Sequence, residues 1–479
     1  MQESKIGTRP HTRWTGRLIG LVTVLVLVNF MVDTAITAPL LVLPEMLDHF
    51  GTDQTALINA SAMLAGVMWA PLLGKSADVH GKRKVLVLTL LLSCAGALVC
   101  AVAPSLWVFV PGRLLQGAAV AALFLSVAIV REMCAPRIAM IVVGIVTSGS
   151  AVLNIGSRFL TEKLAAEFGF RILFLISAVV AIAMAICVHR VVPESAHRTP
   201  GRIDVGGALL LGGGLAGVLG YVSVGSEFGW FALGPTALLV GGAAAFARWF
   251  LVASRKPDAL IDVRDLGAPL ALTLLVLVLG TGSYQSMLQL IPLVSEVSAE
   301  QGLGYGLAGQ GTLALLLAAP GVGVMIGGPV AGVIATRVGP AVTLAGGIAL
   351  GTVGTVGMFF GVSQFPVAIF FAFLLGFTVG VLGTSGFNLA GGLASADRQG
   401  IVSSLVMVVV AIGSVVLDFV GSAVLKSTAV PVGGETVNSG TGVFTCITIA
   451  TAAFAIAAVL AVVLARKPGL DFASDFSQD

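Results

Sequence analysis

Charge is scarce in this chain. Asp, Glu, Lys and Arg together make up 10% of its 479 residues, against roughly 25% in soluble domains. With 57% of residues hydrophobic and a mean hydropathy of +1.04, there is too little polar surface to cover a water-soluble fold, and an integral membrane protein is expected. Cysteine is scarce too. Cys94, Cys100, Cys134, Cys187 and Cys446 are scattered through mostly apolar runs, without disulfide or metal-ligand spacing, and read as small buried hydrophobes. Phosphate-binding, zinc-protease and nucleophile-elbow spacings are missing from any plausible context. No residues remain to carry an enzyme, a cofactor or a metal. Nucleic acid is not expected as a partner, and the net charge of +3 says little, because the distribution of charge matters more than its sum.

Apolar runs are plentiful. Broken by charged or Gly/Pro-rich stretches, they give fourteen candidate spans: 18–42, 54–73, 85–104, 107–130, 138–157, 171–189, 205–225, 231–252, 267–293, 308–335, 340–361, 366–392, 401–425 and 442–465. About 20 residues of helix cross a bilayer. Residues 338–396 hold no charge at all, far too many for one helix across a core of about 30 Å, and the break is placed at Gly361–Pro366. Lys5, Arg9, Arg13 and Arg17 precede the first run, with no small-residue cleavage site before Asp33, so that run reads as a retained span. Placing both termini in the cytoplasm puts most of the 26 Lys and Arg on that side; Arg158, Lys163, Arg171 and Lys426 fall outside.

The stretch Pro71–Leu86, PLLGKSADVHGKRKVL, joins two of these spans by a tight, strongly positive loop. Lys75, Lys82, Arg83 and Lys84 surround one acid, Asp78, while Gly74 and Gly81 allow turning and close backbone approach. The skeleton returns as PVAGVIATRVG: Pro71, Gly74, Ala77 and Gly81 correspond to Pro329, Gly332, Ala335 and Gly339, each 258 positions on, with Thr336 in place of Asp78. Parallel repeats of this kind build many transporters. Eight spans separate the copies, so two six-span halves with two spans inserted between them are expected. The polar loops 190–204 and 253–265 bracket the inserted pair. The expected domains are a six-helix bundle over 1–190, a two-helix insertion over 191–265, a second bundle over 266–465 and a tail over 466–479.

Charges inside the membrane are costly and make good functional candidates. Three stand out: Asp33 in span one, Arg113 in span four and Asp418 in span thirteen. Asn29, Asp33 and Thr37 recur every fourth residue and share a helix face. Asp33 is either a buried acid satisfied by neighbours or a site whose proton or cation occupancy changes. Arg113, with Gln116 and Gly117 one turn on, either holds a helix–helix contact or partners an intramembrane acid. Asp418 has no basic residue near it in sequence. Further polar groups in spans are candidates for a substrate cavity: Asn59, Asn154, Tyr284, Gln285, Gln289 and Asn388, with Asn29 and Gln116; interhelical hydrogen bonding explains each about as well.

These residues carry a resemblance. GKSADVHGKRK resembles the signature loop between the second and third helices of the major facilitator superfamily, and PGRLLQGAAVA resembles its fourth-helix motif. VDTAIT with Pro44, and GLGYGLAGQGTLALLLAAPGVGVMIGGPVAGVIATRVGP, resemble segments of the fourteen-helix drug:proton antiporter branch. The resemblance implies an all-α integral membrane fold of fourteen helices arranged 6 + 2 + 6, with a central cavity opening alternately to each side. It further implies proton-driven export of small amphipathic or cationic compounds from a bacterial inner membrane by a monomer. Carried over by position, Asp78 caps an opposing helix end, Lys82 and Arg83 complete that latch, and Asp33 and Arg113 serve proton coupling. The fifth helix departs from the family pattern: Ser157 follows Gly156 where Pro is expected, and Thr161–Glu162 stand in place of a glycine pair. Uniport or uptake of a specific metabolite therefore stays open, as does a sensor or scaffold that no longer transports.

Overall fold

The computed structural model describes residues 11–52, 55–195, 198, 204–253, 267–296, 310–395, 398–432 and 435–467; some helical side chains, Asn59 among them, lie outside the described set. Most of the loop 253–265 and the tail beyond 467 fall outside it too. The chain divides into two compact units, Met1–Asp265 with Ala390–Met407, and Leu266–Leu389 with Val408–Asp479.

The first unit opens with α1 (Gly16–Leu41), begun where Thr15 accepts the N–H of Leu18 at 3.3 Å. The short α2 (Leu43–Phe50) follows. Next come α3 (Thr55–His80), α4 (Lys82–Val102) and α5 (Leu106–Gln116), the last running through a 3-10 turn into α6 (Ala121–Met133). Then α7 (Pro136–Ser148) and α8 (Ser150–Phe168) meet at Gly149, and α9 (Arg171–Val191) returns. Helices α10 (Val205–Phe228) and α11 (Leu233–Ala253) complete the series. In the second unit lie α12 (Ala268–Glu296), α13 (Gln310–Val338) and α14 (Pro340–Gly361); α15 (Phe365–Leu393) and α16 (Gln399–Thr428) each have one end assigned to the first unit, and α17 (Gly440–Ala465) closes the chain. The charge-free stretch does break between Gly361 and Phe365.

Among the described residues, twelve helical stretches are long and apolar enough to cross a membrane. The expected runs 54–73 and 138–157 are not among them. The first lies on α3, which carries Lys75 and Asp78 near its end; the second is divided between α7 and α8.

Two elements went unforeseen. Helix α2 seats Met46 and Phe50 against an aromatic cluster in which Phe109 lies 5.2 Å from Phe50 and 5.5 Å from Phe174, centroid to centroid. A two-stranded antiparallel pair, β1 (Val430–Val432) with β2 (Glu435–Val437), lies between α16 and α17 and is the only sheet among the described residues. Its valines suit a pleated ribbon, and Pro431 is tolerated because both strands are edges.

Within the first unit α4 packs on α9 and α5, and α1 on α8 and α9. Helices α10 and α11 pack together through Gly214 and Gly242: a Cβ on Gly214 would lie 3.1 Å from the Gly242 carbonyl oxygen. The pair is attached through α10 to α3. In the second unit α17 packs on α12 and α14.

The internal repeat has a geometric counterpart in the backbone. Gly81 (φ 104°) and Gly339 (φ 82°) both adopt positive φ, which glycine tolerates best. Each ends one helix, donating its N–H to Ala77 or Ala335 at 3.0 Å, and each caps the next, accepting from Val85 or Thr343 at 3.2 Å.

Candidate functional site

Asp33 sits within α1, half-buried. Asn154 of α8 donates Nδ2–H to its Oδ2 at 3.1 Å, and the Ser150 side chain, one turn earlier on the same helix, hydrogen-bonds the same carboxyl group. Four residues apart on a helix means one face, so α8 meets the acid with two neutral groups. Asn29, one turn before Asp33, donates to the Val146 carbonyl of α7 at 3.2 Å. The stripe Asn29–Asp33 therefore faces α7 and α8, while Thr37 is exposed and donates back to the Asp33 carbonyl at 2.7 Å.

Arg113 is wholly buried, yet it is not paired with Asp33. Its Nη1 donates to the Ala35 carbonyl at 3.0 Å and to Gln116 Oε1 at 2.6 Å, and its Nη2 donates to the Ile36 carbonyl at 3.2 Å. The reason lies in α1. Pro39 has no N–H, so the carbonyl four residues earlier, that of Ala35, loses its helical donor. Arg113 supplies one from the neighbouring helix. Gln116 reaches on towards Ser177 Oγ of α9, 3.5 Å away.

The loop 74–84 forms a second cluster. Asp78 accepts the N–H of Gly400 on Oδ1 at 2.8 Å and that of Ile401 on Oδ2 at 2.9 Å, capping the first turn of α16 with both oxygens. A carboxylate at a helix N-terminus meets unpaired donors and the positive end of the helix dipole. Close approach is needed: a Cβ on Gly74 would lie 2.9 Å from the Gly400 carbonyl oxygen. α3 has 26 residues, so at about 1.5 Å per residue it overreaches a hydrocarbon core of about 30 Å and leaves Asp78 beyond the apolar run. Burial there raises the carboxyl to about 6, against the lowering pull of the Ile401 and Gly400 amides.

Lys82 and Arg83 do not join this cap. Lys82 Nζ lies 2.7 Å from Glu132 Oε2 in a buried pair, and Arg83 Nε lies 3.5 Å from Glu194 Oε2 while its Nη1 donates to the His189 and Val192 carbonyls. A helix N-terminus repels cations, so both turn to acids elsewhere. Ser195 Oγ accepts the Lys82 N–H at 3.0 Å, capping α4. Gly81 abuts Glu194 as well.

In the second unit Asp418 of α16 hydrogen-bonds with the side chain of Gln289 on α12. These helices approach through glycine: a Cβ on Gly413 would lie 2.9 Å from Val278 Cα. Tyr284 and Gln285 are half-buried on α12, and Asn388 is buried on α15. Asn59 lies on α3 with its side chain undescribed. Sequence reading missed Ser150, although its spacing from Asn154 was available, and it missed Glu132 and Ser195 as partners of Lys82. The five cysteines are free, four of them buried.

Comparison with known proteins follows the same line. The family profile described as Major Facilitator Superfamily matches residues 24–208 and 204–417. A "Multidrug resistance protein B homolog" of Mycobacterium tuberculosis is 27% identical over 352 residues, 71% of this chain and 63% of that protein; the chain thus spans under two thirds of that relative. A "Uridine/deoxyuridine transporter" of Lactococcus lactis is 26% identical over 346 residues, 70% of this chain and 71% of that one. Among solved structures, the human organic anion transporter MFSD10 (TETRAN) superposes with a TM-score of 0.64 at 18% identity, covering 94% of this chain and 100% of that one. The E. coli fucose:proton symporter FucP gives 0.63 at 14%, covering 95% and 100%.

Proposed function

The chain belongs to the major facilitator superfamily, and from that premise we propose that this multi-pass membrane transporter exports small amphipathic or cationic organic compounds in exchange for protons, by alternating access. In this reading α3 and the pair α7–α8 supply two further spans beside the twelve, giving fourteen helices arranged 6 + 2 + 6 with both termini in the cytoplasm.

One observation carries the proton assignment: Asp33 is held by Asn154 and Ser150, both neutral. A membrane carboxyl with a fixed cation beside it stays ionised. With only neutral partners among the described residues, it can take up a proton without leaving a fixed cation unpaired. Arg113 then acts by fixing α1 below Pro39, and Asp418, bonded to Gln289, is a second candidate for proton or cation contact. Asp78 is the catch that must release the first turn of α16 for the cytoplasmic side to open. Asn29, Asn59, Gln116, Asn154, Tyr284, Gln285, Gln289 and Asn388 remain candidates for contacts with the substrate.

In proteoliposomes, substrate addition should drive proton movement in wild type and none in Asp33→Asn. Persistence of that movement in the variant ends the coupling assignment. A second reading, uptake or uniport of a metabolite, draws on the altered fifth helix and on a relative named for uridine and deoxyuridine transport. Reversing an imposed pH gradient separates the two, since net flux through a uniporter of a neutral solute ignores its sign.

A further inference from the structure

A cavity of about 160 Å³ lies wholly within the first unit, among α1, α8, α9 and Gln116. That is near the size of the apolar cavity of about 150 Å³ known to take benzene. Four of its five polar lining side chains are already engaged. Thr34 donates to the Phe30 carbonyl at 2.9 Å and Ser157 to the Asn154 carbonyl at 3.1 Å, while Gln116 lies between Arg113 and Ser177. Water in a cavity needs two to four polar partners, and little here is left to provide them. The lining is chemically hydrocarbon.

The wall also reaches the outer surface of the helices. On α9, Leu175, Ile176, Val179, Ile182 and Ile186 recur at helical spacing and are 38–67% exposed, a stripe whose neighbour in a membrane is lipid. Ile176 belongs both to this stripe and to the cavity wall, and so does Leu160 of α8, 61% exposed. The cavity wall is thus exposed at the helix surface at Leu160 and Ile176.

We propose that this cavity is a binding site for the end of one fatty-acyl chain of a bilayer lipid. The chain enters between Leu160 and Ile176 and packs against α1 at Thr34. Thr34 is the residue after Asp33, and Ser157 lies three residues past Asn154, so the occupant braces the α1–α8 spacing beside the Asp33–Asn154 contact. The site rests on the membrane-spanning reading and is independent of proton coupling.

The test uses the full chain in nanodiscs of phosphatidylglycerol carrying a diazirine at the end of one acyl chain, with cross-links mapped by peptide mass spectrometry. The exposed α17 residues Val459 and Val463 serve as an internal reference for ordinary lipid contact. In wild type, labelling of the Leu160–Leu164 and Ile176–Val180 segments should exceed the α17 reference by about tenfold, corresponding to roughly 1.4 kcal/mol of preference. Thr161→Phe and Val180→Phe, prepared separately, each fill the space and should bring it down to the reference level. Equal labelling of cavity and α17 in wild type overturns the proposal even if neither variant folds. Undiminished labelling in a folded variant overturns it too.

Discussion

Arg113 donates to the carbonyl of Ala35 across 3.0 Å, and Ala35 is the residue whose acceptor Pro39 leaves without a helical partner. A defect in one helix and a buried cation in another thus account for each other. Hydrogen bonds from a charged donor contribute about 1.5–3 kcal/mol, so Arg113→Ala should lower the thermal midpoint of the purified protein substantially. Pro39→Ala restores the missing N–H. In that background the loss on Arg113→Ala should shrink by about 1–2 kcal/mol, read as the coupling term of a double-mutant cycle. Additive effects of the two substitutions would show that the pairing is incidental.

The carboxyl of Asp33 depends on Asn154 in a similar way. Asn154→Ala removes a neutral donor worth about 1 kcal/mol, leaving Ser150. Proton-coupled flux should fall several-fold, by about fivefold for that energy, while the thermal midpoint moves little. Asp33→Asn should abolish the coupling with the fold intact, since the amide still meets both neighbours. Flux assays with a thermal-shift control decide both.

Much of this is legible in the sequence. Uncharged runs must be helical in a bilayer because backbone groups find no water there, and Gly81 and Gly339 marked the same turn twice. That Asp78 caps an opposing helix end followed from resemblance, but that the helix is α16 did not. The partners of Asp33 did not, because spacing shows which residues share a face and leaves open which helix that face meets. The pairing of Lys82 with Glu132 spans 50 positions and has no local signal. The role of Arg113 was half visible, since Pro39 announces an orphaned carbonyl at Ala35 but does not say what fills it.

The cap on α16 should respond to pH, and its sign can be worked out. Held against Gly400 and Ile401, the Asp78 carboxyl is raised to about 6 from an ordinary 3.8, the value it regains once released into water. The held arrangement therefore binds the proton more tightly. Its added stability is fully present below about 3.8 and is lost as pH rises through about 6, a change of about 3 kcal/mol in all. Spin labels at the exposed positions His80 and Ser395 should report a larger fraction of the short, capped distance at pH 5 than at pH 8. In Asp78→Asn that pH dependence should vanish. A pH-independent distance in wild type would mean that the carboxyl keeps one protonation state throughout.

In the second unit the contact between Gln289 and Asp418 relies on how closely α12 and α16 approach. A methyl group on Gly413 would lie 2.9 Å from both the Cα and the carbonyl carbon of Val278. Backbone atoms cannot rotate aside as a side chain can, so Gly413→Ala must push the helices apart. Overpacking of this kind costs about 1–3 kcal/mol. Gly346→Ala is the matched control: nothing lies within 4 Å of its added methyl, and it sits in the interior of α14, where alanine is preferred to glycine by about 1 kcal/mol. The thermal midpoint should fall for Gly413→Ala and hold or rise for Gly346→Ala. Separating the helices also stretches the Gln289–Asp418 hydrogen bond, so Gln289→Leu should cost less in the Gly413→Ala background than alone. Equal costs in the two backgrounds would show that the bond does not depend on the glycine contact, and that the polar pair is held by other elements of the unit.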